Sequence, residues 1–319
     1  MTQAQFSTRT ACINCGSGNL EILASGSFND APLHTFLQAD PWGESPLPYL
    51  DGQRWNYVAC NDCDQAFHAQ VLTPEWNEIN FSRWMSGEAI AEFERLYAGP
   101  GAKFDRATHY TKHVLQLSEL IPERPVRLLD FGCGNGEFLH ICRQFGFNAI
   151  GCDRSTARRD ATGLVILESI EQVALLGTPL HAVTLFEVLE HLEDPRGILQ
   201  ALKHQMAPGG VLVLETPDCS GVTDTRTRRD YDCIHPLQHI NGFTPATLTS
   251  IAVRLGFEPI RAPVSHVTTS PVKAAKTEAK RLLAPLMGAR TQQYFRLPRQ
   301  SAWKRLWNPT TEEWEIEQV

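Results

Sequence analysis

The stretch that most restricts what this chain can fold into spans 128–138 and reads LLDFGCGNGEF. An apolar run closed by Asp130 leads into glycines at 132, 134 and 136, and FLHICRQFG follows. The apolar run has the character of a buried strand, and the stretch after it that of a helix. Three glycines so close together mark a turn whose backbone runs tight against a neighbour, with no Cβ in the way. In an open α/β sheet such a turn lies at the carboxyl end of the first strand, where ligands bind.

A dinucleotide fingerprint would put its third glycine at position 137, which is Glu137. An acid in that first helical turn opposes a pyrophosphate at the helix N-terminus. Downstream, the apolar run NAIGCD closes on Asp153, and a carboxylate there can accept both hydroxyls of a ribose. A glycine turn, two strand-end acids and no phosphate cradle describe a nucleoside with a cationic tail, such as S-adenosylmethionine.

Four segments carry a family resemblance in the right order: LLDFGCGNG, GCD, HAVTLFEVLEHLEDP (181–195) and MAPGGVLVLETP (206–217). On them, residues 126–260 resemble the class I S-adenosylmethionine-dependent methyltransferases. The resemblance implies an α/β fold, a Rossmann-like doubly wound sheet. It implies cofactor contacts from Asp130, Gly132, Cys133, Gly134 and Gly136 in the first motif, and from Asp153 and Arg154 after the second strand. Ser169 and Ile170 would lie near the adenine, Phe186 and Glu187 over the methionine side, and His191 at the start of the next helix. The competing reading is an unrelated Rossmann-type domain.

With 319 residues the chain has room for about two domains. A net charge of −7 argues against general nucleic-acid binding, which favours basic surfaces. MTQAQFSTRTAC has no apolar core and no run approaches the ~20 residues of a membrane span, so a cytoplasmic location is expected. In that setting nine cysteines point to metal or isolated thiols rather than disulfides. Four of them form the pairs Cys12-x2-Cys15 and Cys60-x2-Cys63. Two such knuckles supply the four thiolates of a closed, structural zinc site; ordinary buried thiols are the alternative. Cys15-Gly16 suits the turn after a knuckle better than Cys63-Asp64 does, and the Pro-, Gly- and Trp-rich stretch between the pairs reads as an inserted loop. A hairpin is expected around the second knuckle (53–72).

The expected organisation is a zinc-ribbon-like module over 1–74, a helical cofactor cover over 75–122, the methyltransferase domain over 123–262 and a basic-aromatic tail over 263–319. In the cover, GEAIAEFERLYAG and HYTKHVLQLSELI read as amphipathic helices, with Tyr97, His109, Tyr110 and His113 as partly buried helix residues. The tail interleaves Lys and Arg with Leu282, Leu283, Leu286, Met287, Phe295, Trp303 and Trp307. It has three readings: contact with an anionic membrane surface, folding back over the site, or a solvated helix. The final EEWEIEQV is expected to fray.

The acceptor question falls on 217–243, read as a long polar loop that holds His235 and His239. A histidine suits the base that takes a proton from a methyl acceptor. QHINGFTP is similar to the segment of zinc-containing sugar methyltransferases where a Glu-His pair precedes an aromatic and a helix. His239 matches the proposed base there, and Gln238 replaces the glutamate. Packing or capping at the start of a helix is the other role for either histidine. The expected function is methyl transfer to a small hydroxylated acceptor such as a sugar or nucleotide-linked sugar. RNA methylation and a non-catalytic cofactor-binding protein are the alternatives.

Overall fold

The computed structural model describes residues 2–99, 101–154, 163–265, 267–268, 270–283, 290–299, 304–308 and 313–317. Most of the polar linker after Asp153, and Leu286, Met287 and Trp303 of the tail, lie outside the described residues.

The amino-terminal module is a small antiparallel assembly. β1 (Phe6–Thr8) pairs with β5 (Gln70–Leu72), while β2 (Leu20–Ser27), β3 (Arg54–Cys60) and β4 (Ala66–His68) form a sheet. The hairpin β3–β4 turns through the second cysteine pair, as its alternating pattern predicts. Both knuckles place the residue after their second cysteine in the left-handed region, Gly16 at φ 78° and Asp64 at φ 59°. Asp64 therefore does what glycine does in the first knuckle, because a short acid tolerates that conformation better than most residues. In both knuckles the same residue's amide returns to the first cysteine carbonyl (Gly16 to Cys12, 2.9 Å; Asp64 to Cys60, 2.8 Å).

The stretch between the pairs is not a plain loop. It contributes β2, β3 and helix α1 (Leu33–Ala39), and its apolar residues close a core around Trp55, Tyr57, Trp76 and Trp84. The Leu33/Leu37 spacing carried part of that signal beneath the Pro and Gly content.

Helices α2 (Pro74–Ile79), α3 (Gly87–Tyr97) and α4 (Ala102–Leu120) lead into the large sheet. Ser86 caps α3, its Oγ accepting from the Ala89 amide. α4 starts earlier than its apolar pattern suggests and buries His113, Val114 and Leu117. The core domain then runs β6 (Arg127–Phe131), α5 (Glu137–Gln144), β7 (Asn148–Cys152), β8 (Ile166–Leu167), α6 (Ile170–Ala174), β9 (Leu180–Phe186), α7 (Pro195–His204) and β10 (Met206–Glu215). Helix α8 (Arg228–Ile234), β11 (Asn241–Gly242), α9 (Pro245–Arg254), β12 (Glu258–Ile260), α10 (Pro271–Leu283) and β13 (Gln292–Arg296) complete it.

The sheet order is β12-β13-β10-β9-β6-β7-β8. It is parallel from β8 to β10, while β13 runs antiparallel to both β10 and β12. Order reverses beside β6, which opens the carboxyl-end crevice where such folds take ligands. β9 is buried over six of its seven residues, as a central parallel strand requires.

Two expectations are corrected here. The boundary at 262 cuts the sheet, because β13, assigned to the tail, lies between β10 and β12 and buries Tyr294 and Phe295. A five-residue strand far from its partners in sequence has too little periodicity to announce itself. Of the final acidic segment, Glu313–Glu317 is paired rather than frayed, running antiparallel to Lys304–Asn308 in a separate two-stranded sheet. No described helix is long and apolar enough to cross a membrane.

Gly132 carries the first testable consequence. It sits at φ 77°, and a Cβ built there runs into Val188 Cγ2. Left-handed backbone costs about 1–2 kcal/mol and overpacking about 1–3 kcal/mol. Gly132→Ala should therefore lower the melting temperature by roughly 5–15 °C, and a thermal-unfolding scan that shows no change would remove this account of the turn.

Candidate active site

The glycine turn links β6 to α5. Gly132, Gly134 and Gly136 all have positive φ (77°, 53° and 73°), and the amides of Gly132 and Cys133 both return to the Cys152 carbonyl (2.7 and 3.3 Å). That carbonyl belongs to the neighbouring strand, so the turn folds across the end of β7. There Asp153 Oδ2 accepts from the Gly134 amide at 2.8 Å. Cys133 is buried behind the turn, where a Cβ on Gly151 would meet its Sγ. Asp130 is 4% exposed and accepts from Thr184 Oγ1 at 2.6 Å. Burial raises its pKa to about 7; the Thr184 bond works against the rise and the charge of Asp153 adds to it.

At the end of β9, Phe186 packs against Tyr110, His113 and Phe138 (ring centroids 5.9, 4.6 and 5.0 Å). Glu187 follows at φ 54°, a conformation costing a non-glycine residue about 1–3 kcal/mol and concentrated at functional sites. Glu187 still reaches solvent, but protein crowds its carboxyl; that crowding and the charge of Glu215 raise its pKa. Glu190, 1% exposed, is raised further by burial and by Glu187. Carboxyls held near or above neutral pKa at strand ends suit a cationic ligand, whose charge offsets their burial.

Glu190 leads to the histidines. His191 Nδ1 donates to the Gln238 carbonyl at 2.9 Å, and its Nε2 lies 3.8 Å from Glu190 Oε1. The His239 ring stands edge-on to His191, centroids 4.7 Å apart. His239 Nδ1 donates to the Asp232 carbonyl at 2.6 Å, so Nε2 is its basic nitrogen. Burial first, then the neighbouring His191 and His235, push His239 well below the ordinary imidazole pKa. It is therefore neutral, the form that can accept a proton.

His235 departs from expectation. It is 3% exposed, set between Phe36 and Trp42 in the module's aromatic core, and its Nδ1 accepts from the Leu237 amide. Burial takes its pKa to about 3. Such burial denies a substrate access, so His235 is a packing residue. The loop that was to carry it is partly helical, since α8 forms behind a Thr227/Asp230 capping box.

The remaining cofactor candidates lie at neighbouring strand ends. Arg154 is exposed just after Asp153, and Ser169-Ile170 opens α6 after β8. Sequence reasoning gave no role to Glu215, which closes β10 as Asp130 closes the run of β6. The same signal, an acid ending an apolar strand, was available there.

The four cysteines of the two knuckles converge. Cys12 and Cys63 Sγ are 3.5 Å apart, as are Cys15 and Cys60 Sγ, and all four sulfurs lie within 4.8 Å of one another. A tetrahedral ion with bonds of about 2.3 Å requires sulfur–sulfur edges of about 3.8 Å, so the donors fit a closed four-thiolate metal. This module also holds the His239 segment. β11 adds to the edge of β4 (Asn241↔Phe67, Gly242↔Ala66). Arg9 donates to Asn241 Oδ1 and to the His68 and Ile240 carbonyls (2.8, 2.6 and 2.8 Å).

A family model described as a methyltransferase domain matches residues 103–262. Among curated proteins, a ubiquinone biosynthesis O-methyltransferase of Cereibacter sphaeroides is 33% identical over 125 residues, 36% of this chain and 47% of that protein. The protein of the same description from Actinobacillus pleuropneumoniae is 35% identical over 105 residues, covering 28% and 45%. The chain thus spans about half the length of the curated relatives it matches. Among solved structures, the plantazolicin methyltransferase BpumL in complex with SAH aligns with a TM-score of 0.49 at 12% identity, over 70% of this chain and 94% of that one.

Proposed function

The chain belongs to the methyltransferase-domain family, and from that premise we propose that it moves the methyl group of S-adenosylmethionine to an oxygen of a small hydroxylated acceptor. The observation that carries the reading is the Asp153 carboxylate, held by the Gly134 amide at the mouth of the glycine turn (2.8 Å). It stands where a ribose would present two hydroxyls.

S-adenosylmethionine supplies a methyl already activated on a sulfonium. The chain's work is to bind it, align the acceptor, exclude water and remove one proton. Asp130 and Glu187 offset a cationic ligand, and the left-handed glycines, with no Cβ, let the backbone approach it. The neutral His239 accepts the acceptor's hydroxyl proton at Nε2 as that oxygen takes the methyl, and Asp232 holds the other ring nitrogen in the matching tautomer. Oxygen as the methylated atom is supported by the relatives named for O-methylation. A sugar or nucleotide-linked sugar is our acceptor of choice, because four thiolates precede the domain and His239 stands before an aromatic and a helix. The four cysteines hold a structural zinc in this reading.

Calorimetric titration of the full chain with S-adenosylmethionine and S-adenosylhomocysteine tests the reading. Asp153→Ala should weaken both, since a hydrogen bond to a charged group contributes about 1.5–3 kcal/mol, roughly 10- to 150-fold in affinity. Absence of binding to folded, metal-replete protein would overturn the proposed activity. Binding that Asp153→Ala leaves unchanged would overturn the ribose assignment alone.

A further inference from the structure

A second cluster of metal-ligating side chains stands apart from the cysteines. His109 and His113, one turn apart on α4, meet Glu215 from the end of β10. His109 Nε2 is 3.0 Å and His113 Nε2 3.4 Å from Glu215 Oε2, and the two Nε2 atoms are 3.2 Å apart. A first-row divalent metal with bonds of about 2.0–2.2 Å has ligand–ligand edges of about 2.9–3.5 Å. All three edges fall within that range. Helical spacing of i and i+4 puts both imidazoles on one face, so the arrangement follows from the backbone of α4.

The hydrogen bonds behind His113 point the same way. Gln116 Nε2 donates to the Pro263 carbonyl (2.8 Å), which turns its Oε1 toward Tyr294. Tyr294 spends its single hydroxyl proton on that Oε1 at 2.6 Å. The Tyr294 oxygen must then accept from His113 Nδ1, 2.5 Å away. His113 is therefore the tautomer with its proton on Nδ1 and a lone pair on Nε2, directed into the cluster. An imidazole whose far nitrogen is tied to a fixed acceptor is how proteins orient a metal ligand. Gln292 Nε2 donates to that lone pair (2.7 Å) and to Glu215 Oε2 (3.2 Å), the two acceptors a cation would take. Gln292 is exposed, so its side chain is free to swing aside.

We propose that His109, His113 and Glu215 form a binding site for a divalent first-row transition metal such as Zn2+ or Co2+, separate from the four-cysteine site. Three protein donors leave one or more positions for an oxygen ligand. The site adjoins Phe186, whose ring lies 4.6 Å from that of His113, at the carboxyl ends of β9 and β10. Two neutral nitrogens and one carboxylate select borderline metals over Mg2+ or Ca2+, which prefer all-oxygen sets.

The test is titration of the zinc-replete full chain with Co2+, followed by absorption and by metal analysis. One further equivalent is expected, with weak ligand-field bands and no thiolate charge transfer. His109→Ala and Glu215→Gln should each weaken it by at least about tenfold to a hundredfold, with the melting temperature of the metal-free protein as the check on folding. Gln292→Ala should bind at least as tightly as the parent, because it removes the competing donor. No additional equivalent, or one undiminished in both His109→Ala and Glu215→Gln, would overturn the proposal. The readout is metal alone, so its failure would leave the methyl-transfer reading standing.

Discussion

His239→Ala is expected to lower the methyl-transfer rate by about 10²–10⁴-fold, the range that a positioned general base contributes, while S-adenosylhomocysteine binds as before. The ring lies beyond Glu190 and His191 rather than among the residues of the glycine turn, so its removal should leave the cofactor pocket intact. Its tautomer is set by the 2.6 Å bond from Nδ1 to the Asp232 carbonyl. His239→Gln should be nearly as slow as the alanine variant, because an amide can hydrogen-bond an acceptor but cannot take its proton. The pH profile carries the same argument. The accepting form is the neutral imidazole, and burial together with His191 and His235 holds the pKa well below the ordinary value. The acid limb of kcat/KM should accordingly lie well below pH ~6.5, with a plateau above it. Full turnover in the alanine variant would transfer the proton-accepting role away from His239.

Cys60→Ser, or prolonged treatment with a strong chelator, is expected to unfold the amino-terminal module and abolish activity with it. Structural four-ligand zinc contributes an apparent ~10–16 kcal/mol, against a total domain stability of about 5–15 kcal/mol. The consequence reaches the active site because β11 is the edge strand of the module's sheet and begins two residues after His239. Gln65, two residues after Cys63, also donates to the Gly242 carbonyl at 2.8 Å. Metal analysis, circular dichroism and turnover of the same sample decide the matter. A Cys60→Ser protein that keeps its metal, its melting temperature and its rate would show that the cysteines are ordinary buried thiols.

Much of the site was legible because its signals are local. Gly132, Gly134 and Gly136 hold the positive φ values that only glycine adopts cheaply, and Asp130 and Asp153 close apolar runs that are strands. The cysteine pairs were readable from spacing alone, since a two-residue gap aims both thiolates to one side. His235 and His239 were equivalent as letters in one polar stretch. They differ because Phe36 and Trp42, two hundred residues earlier, close over one and not the other.

The sequence by itself determined the strand–turn–helix that holds the candidate cofactor site, the two cysteine knuckles and which apolar runs become strands. Each rests on contacts between residues near in the chain or on a repeated pattern. Tertiary structure alone decided that β13 completes the sheet, that the cysteine module grips the His239 segment, and that His109, His113, Glu215, Gln292 and Tyr294 meet. Those contacts join residues up to 232 positions apart. Bringing them together is favoured by burying whole faces of α4 and the sheet, a sum over many side chains that no short stretch of sequence displays.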